Sequence, residues 1–273
     1  MRRLSVVVSA LLTLAATAAH AQESVLLRVG GQPGQVARYR RVIETFVRGG
    51  PMAGMASADT TLPMSRITLH ATRTLQAVTG DTMTFAETVD SGTFDSPAMP
   101  QMAQALGPRT MQPLLGRTTV TKTDARARIF SQVASSAQGG AGGGGRGAMG
   151  GGGGGPDRAM LALPAAAVRV GDSWSDSTTV PPDSAGAGGS TTVATFKLER
   201  LEVQGGARIA VISMNGRTMT NAANGPQNFA LTGDLQFDVS ARRLSQMNMT
   251  LTGTASTPQG DVSLKVHITN QLM

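Results

Sequence analysis

Near the end of the chain Val262, Leu264, Val266 and Ile268 alternate with Ser263, Lys265, His267 and Thr269. A period of two is the signature of a strand with one face covered and the other wet. The same period recurs. Ile67, Leu69 and Ala71, then Leu75 and Ala77, alternate with Thr68, His70, Thr72 and Thr74, and after Thr79-Gly80-Asp81 the run Thr82 to Asp90 places Met83, Phe85 and Val89 on one side. Two such runs around a Gly-Asp turn predict a hairpin. Further along, Thr191 to Val203 and Ala207 to Met214 flank Gln204-Gly205-Gly206. Leu235, Phe237 and Val239 then turn at Ser240-Ala241-Arg242 into a strand carrying Met247, Met249 and Leu251. Helical spacing is scarce: Met99, Met102 and Leu106 share a face within Pro97 to Leu106, and Pro100 is expected to limit that helix to a turn or two.

The pattern therefore predicts an all-β protein of two related antiparallel meander sheets, forming a sandwich or a half-barrel. The expected division follows a composition shift. Residues 135–156 hold more than a third of the 34 glycines, and a segment with almost no side chains loses backbone entropy on ordering without burying anything in return. It reads as a flexible linker between a first β half, residues 22–134, and a second, residues 157–273. Its glycine matches to phosphate-binding loops carry no weight, because no strand leads in and no G-K-[S/T] follows. The halves also begin alike, Leu27-Arg28-Val29-Gly30 before a strand with Tyr39 and Val168-Arg169-Val170-Gly171 before one with Trp174. That likeness suggests a diverged internal duplication. Gly49 to Leu62 and Pro181 to Ser190 read as loops.

Residues 1–21 read as a signal peptide: Arg2-Arg3, an apolar stretch from Leu4 to Ala18, and the small-x-small site Ala19-His20-Ala21. The stretch is short for a membrane span. A periplasmic or secreted location is expected, with no membrane-spanning segment left after cleavage. The chain has no cysteine, so disulfides, thiolate metal sites, cysteine nucleophiles and lipidation of an N-terminal cysteine are all out of reach. Setting aside Arg2 and Arg3, 22 basic residues stand against 17 acidic ones. The arginines are scattered and aromatic residues make up only 3% of the chain, so no nucleic-acid partner is expected. An outer-membrane barrel is disfavoured on the same ground, since it needs aromatic girdles.

Leu163-Pro164 followed by Val168-Arg169-Val170-Gly171-Asp172-Ser173-Trp174 resembles the "LP, short gap, V-x-V-G-D-x-W" signature of an uncharacterised family of exported bacterial β-proteins. Gly34 to Tyr39 resembles the glycine-then-aromatic strand such proteins carry near the mature N-terminus. The resemblance implies export and β-architecture, and it implies no catalytic residues.

Chemistry-bearing clusters are thin. His70 and His267 lie on polar strand faces without zinc-ligand spacing, and no G-x-S-x-G elbow accompanies them. Asp172 and Asp176 lie four residues apart on one strand face, where they could bind a cation or act as acid and base; the better reading has Asp172 closing the turn after Gly171 and Asp176 solvated. The fifteen methionines are dispersed, with Met52 and Met55 lacking a third ligand for copper. No metal or other cofactor is expected. Trp174, the single tryptophan, reads first as a core plug and second as a stacking platform for a ligand. Asn248-Met249-Thr250 matches a glycosylation acceptor by a pattern that is common by chance.

The function expected from these features is a non-enzymatic exported envelope protein that binds a lipid or other apolar or amphipathic ligand on a curved sheet, with Trp174, Met247 and Met249 as the candidate contacts. The alternative is a structural module that presents loops or strand edges to an envelope protein partner.

Overall fold

The computed structural model describes residues 23–49, 61–134, 162–180, 190–222, 225–257 and 260–273. The signal-peptide reading, the glycine linker, Met52 with Met55, and nearly all of the two expected loops lie outside these residues. In chain order the elements are β1 (Val36–Gly49), β2 (Ser65–Thr79), β3 (Thr82–Asp95), α1 (Pro100–Met111), β4 (Thr118–Thr123), β5 (Ile129–Ala134), β6 (Ser173–Val180), β7 (Ser190–Gln204), β8 (Ala207–Ala222), β9 (Gly225–Asp238), β10 (Arg243–Thr257) and β11 (Gly260–Leu272). The all-β antiparallel meander holds.

The meanders join into one sheet of eleven strands rather than stacking as two, in the order β5-β4-β3-β2-β1-β11-β10-β9-β8-β7-β6. The seam is β1 against β11, paired without interruption from Tyr39↔Leu272 to Gly49↔Val262. Two separate meanders would leave long edges with unpaired backbone groups, and pairing first strand with last satisfies both edges at once. The sheet is open, with β5 and β6 as its edges. The hairpins expected at Thr79-Gly80-Asp81, Gln204-Gly205-Gly206 and Ser240-Ala241-Arg242 are present, with Gly205 and Gly206 at φ of 56° and 83° between β7 and β8.

A single sheet still has to cover its apolar face. Here irregular segments do so. Val25, Leu27 and Val29 from the N-terminal stretch, with Ala162, Leu163 and Val168 from the approach to β6, join one buried cluster with Phe196, Leu198, Ile212, Leu231, Leu235, Phe237, Met247, Met249 and Ile268. The two segments bridge each other through Val25↔Val168. Arg28 fixes the second one by donating from Nη1 to Pro164 O at 2.6 Å, and Arg126 Nε donates to Leu163 O at 2.8 Å.

Against the expectation of one or two turns, α1 runs for twelve residues past Leu106, to Met111. Pro100 occupies its first turn, where the missing N–H would have had no helical partner, so it starts the helix instead of limiting it. The helix rests on β3. A Cβ on Gly92 would come within 2.6 Å of Met111 Cε and 2.7 Å of Thr68 O, so only glycine lets the helix seat this closely.

The opposite face of the central strands is polar. Arg66 Nε lies 2.8 Å from Glu44 Oε1 and His267 Nδ1 lies 3.4 Å from Glu44 Oε2, while Lys265 sits over the Phe46 ring at 5.5 Å. Burial alone would raise the Glu44 pKa, but hydrogen bonds and charge from Arg66 and His267 outweigh it and hold the carboxyl below its usual range.

Candidate functional site

Strand parity places a polar strip on the covered face of the first half. On β1 the inward residues are Ala37, Tyr39, Arg41 and Ile43, and Arg41 stands opposite Leu69 on β2 and opposite Asn270 on β11. On β3 Glu87 lies between inward Phe85 and Val89 and faces Arg73 across the β2–β3 ladder. Arg41 Nη2 reaches Glu87 Oε1 at 3.4 Å over the intervening strand, with both side chains more than nine-tenths buried. Desolvating two charges is costly, and the cost is tolerated only where attraction and further hydrogen bonds offset it.

These groups line a cavity of about 100 Å³. Its lining includes apolar Val29, Leu75, Phe85, Ile129 and Leu244 and polar Arg41, Glu87, Arg242, Arg243, Thr123 and Asn270. Arg73 spreads its guanidinium over the Phe85 ring at 4.0 Å. The rim is set by backbone geometry. Arg242 has φ of 56° in the β9–β10 turn, and its Nη2 donates to Val29 O at 3.3 Å while Gly30 N donates to Arg242 O at 3.0 Å. A Cβ on Gly30 would lie 2.5 Å from Arg242 Cζ. Glycine is what admits the guanidinium there.

Three polar atoms at this cavity, Thr123 Oγ1, Arg243 Nε and Asn270 Oδ1, are buried without a hydrogen-bond partner among the described residues. Thr123 is 3% exposed and Asn270 8%. Most buried polar groups in folded proteins are paired, so three unpaired ones converging on one cavity mark it out.

The residues singled out in the sequence lie elsewhere. Met247 and Met249 are each 1% exposed within the apolar cluster, covered by the chain's own irregular segments. Trp174 is half-buried, stacks on Phe196 with ring centroids 5.6 Å apart, and donates from Nε1 to Ala162 O at 2.7 Å. None of the three lines the cavity. Asp172 closes its turn by accepting from Arg169 N at 2.8 Å, and Asp176 faces Arg126 Nη2 at 3.5 Å. The two carboxylates are thus engaged separately. His70 faces Arg40 in the β1–β2 ladder, whereas His267 turns to Glu44. Among the described residues no group of three or more His, Asp or Glu could hold a metal ion.

Sequence reading missed the cavity residues although a signal existed. Arg41, Glu87 and Asn270 occupy positions whose parity is apolar, between Tyr39 and Ile43, between Phe85 and Val89, and after Ile268. A charge at an inward position of a strand is the break in pattern that marks a buried polar site.

No family model and no curated protein matches the chain. Among solved structures it is similar to the crystal structure of the hypothetical lipoprotein YmcC from Escherichia coli K12, at 11% identity over 84% of this chain and 85% of that one, with a TM-score of 0.25. A likeness that distant carries no inference about function.

Proposed function

We propose that this protein is a non-enzymatic, exported envelope protein that binds an amphipathic ligand, and that the cavity lined by residues of both halves of the sheet is the binding site. One observation carries the reading: a cavity lined by both apolar and polar side chains, at which buried Thr123, Arg243 and Asn270 atoms have no hydrogen-bond partner among the described residues. Binding sites of this kind are concave and mostly apolar, with a few convergent polar groups that orient the ligand. Export is proposed from the basic, apolar and small-x-small order of residues 1–21. The sequence reading takes Trp174, Met247 and Met249 as the contacts; the proposed site is the cavity, whose lining includes none of the three.

Native mass spectrometry of the full chain expressed with export tests both parts. The reading expects loss of residues 1–21 and a retained small amphiphile, with retention abolished in Ala37→Phe, which fills the cavity from β1. A bare protein that also fails to take up an added fluorescent amphiphile would overturn it.

A second reading, a module presenting a strand edge to another envelope protein, has its own support. The edge strand β5 leaves Phe130 59% and Val133 63% exposed, and an apolar edge is a template for pairing with another chain. Phe130→Glu with Val133→Glu, which puts charge on the apolar edge, would weaken such pairing without affecting the cavity, whose lining includes neither residue.

A further inference from the structure

Resting on the cavity as an amphiphile site, we propose that the amphiphile it takes carries an anionic head, a carboxylate or a group of similar charge, held at the Arg243 end. The cavity's lining has four arginines, Arg41, Arg73, Arg242 and Arg243, and a single carboxylate, Glu87. Glu87 is shared between Arg41, 3.4 Å away, and Arg73, its ladder partner. It cannot balance the two arginines of the β9–β10 turn as well. Asp238 stands opposite Arg243 in the β9–β10 ladder and also accepts from Ala241 N at 2.8 Å, so this one acid offsets at most one of the two arginines. The cavity end formed by Arg242 and Arg243 therefore has excess positive potential inside a partly enclosed space, where charge attraction is stronger than in bulk water.

The unpartnered atoms complete the argument. Arg243 Nε is a buried donor without an acceptor among the described residues, and the Thr123 hydroxyl can donate from a residue 97% shielded from solvent. An anionic head with more than one oxygen can accept from each donor and makes charge-assisted bonds, the stronger class. The Asn270 side-chain amide, also buried and unpartnered at its oxygen, presents NH2 to the same head if the amide is turned, an assignment that hydrogen bonding decides. A cationic head would meet the arginines unfavourably. A neutral one would satisfy hydroxyl and amide but leave the charge unanswered. Within the same lining Leu75, Phe85, Ile129 and Leu244 suit a hydrocarbon tail, and with about 100 Å³ available the tail is short or leaves the cavity toward solvent.

The test uses three eight-carbon probes of matched tail and different head, octanoate, octanol and octyltrimethylammonium, titrated below micelle formation into the purified full chain by calorimetry at low and moderate salt. The proposal expects octanoate to bind about tenfold more tightly than octanol, the worth of one good charge-assisted bond, and the cationic probe to bind least. In Arg243→Gln, checked for an unchanged thermal melt, octanoate should fall to the level of octanol while octanol binding stays. Ala37→Phe should abolish all three. Equal binding of octanoate and octanol to the unaltered chain would overturn the anionic head and leave the amphiphile site standing. So would an octanoate preference that survives Arg243→Gln combined with Arg242→Gln. Failure of all three probes to bind would instead remove the amphiphile reading itself.

Discussion

Met249 faces Ile268 across the β10–β11 ladder and Gly233 across β9–β10, and its side chain is 1% exposed in the apolar cluster. Truncation there deletes packed atoms and leaves a void, so Met249→Ala should cost about 2–5 kcal/mol in a urea melt. A near-neutral variant would mean that the irregular cover over the strand collapses freely into the gap. Glu44 is the residue whose protonation the fold senses. Its pKa is lowered by Arg66 and His267 against the opposing effect of burial, so its contribution is present at neutral pH and is lost as pH falls through the lowered value, when the folded state takes up the proton. Glu44→Gln should flatten that part of the acid limb, lowering stability at neutral and higher pH and leaving it nearly unchanged at pH below the lowered value; an unaltered pH profile would show the pairing to be solvent-screened. At this scale the sequence was partly legible. The inward positions of Leu69, Met83, Met247, Met249 and Ile268 follow from parity alone. The inward charges Arg41 and Glu87 were visible as breaks in parity, yet their pairing joins residues 46 apart in sequence, and nothing local announces it.

Hairpins were the most legible elements, because turn chemistry and period two act within about a dozen residues. The helix was misjudged through Pro100, which reads as a breaker only when a helix already runs through it. Least legible was the role of the segment from Ala162 to Val168. Its Leu163-Pro164 and the following V-x-V-G-D-x-W stretch stood out by resemblance, and the structure places them as a clamp: Leu163 is fully buried, its N–H donates to Arg126 O at 3.0 Å, its carbonyl accepts from Arg126 Nε, and Trp174 Nε1 holds Ala162 O. Backbone lying over a sheet has no ladder, so side chains must satisfy its polar groups. Leu163→Ala should therefore cost about 2–5 kcal/mol, as for other fully buried leucines. It should also raise hydrogen exchange in residues 162–170 more than in β9 or β10. Exchange rising equally throughout the sheet would argue that the segment is part of the global core and not a separable cover.

Across the whole molecule, the decisive contact is the one that sequence patterning could not supply: β1 against β11, the first strand against the last. Alternation gives each strand a covered face, but it does not say which edge meets which, and two meanders satisfy the same pattern stacked or joined. The joined arrangement has consequences for folding. Neither half owns its central edge, since Tyr39 to Gly49 and Val262 to Leu272 complete each other's backbone pairing. The cover of the second half likewise comes partly from Val25, Leu27 and Val29 at the start of the first. Urea unfolding should thus be one transition, with Trp174 fluorescence reporting the second half and far-ultraviolet circular dichroism reporting the whole sheet at the same midpoint. Refolding should be slow for the chain's size, because closing the seam requires contacts more than two hundred residues apart. The fragment 157–273 expressed alone should expose the β11 edge and the bare apolar face of β7–β10, and so aggregate or self-associate. A monomeric, cooperatively melting fragment, or two separated transitions in the full chain, would show that the halves are independent domains and that the seam is a docking contact between them.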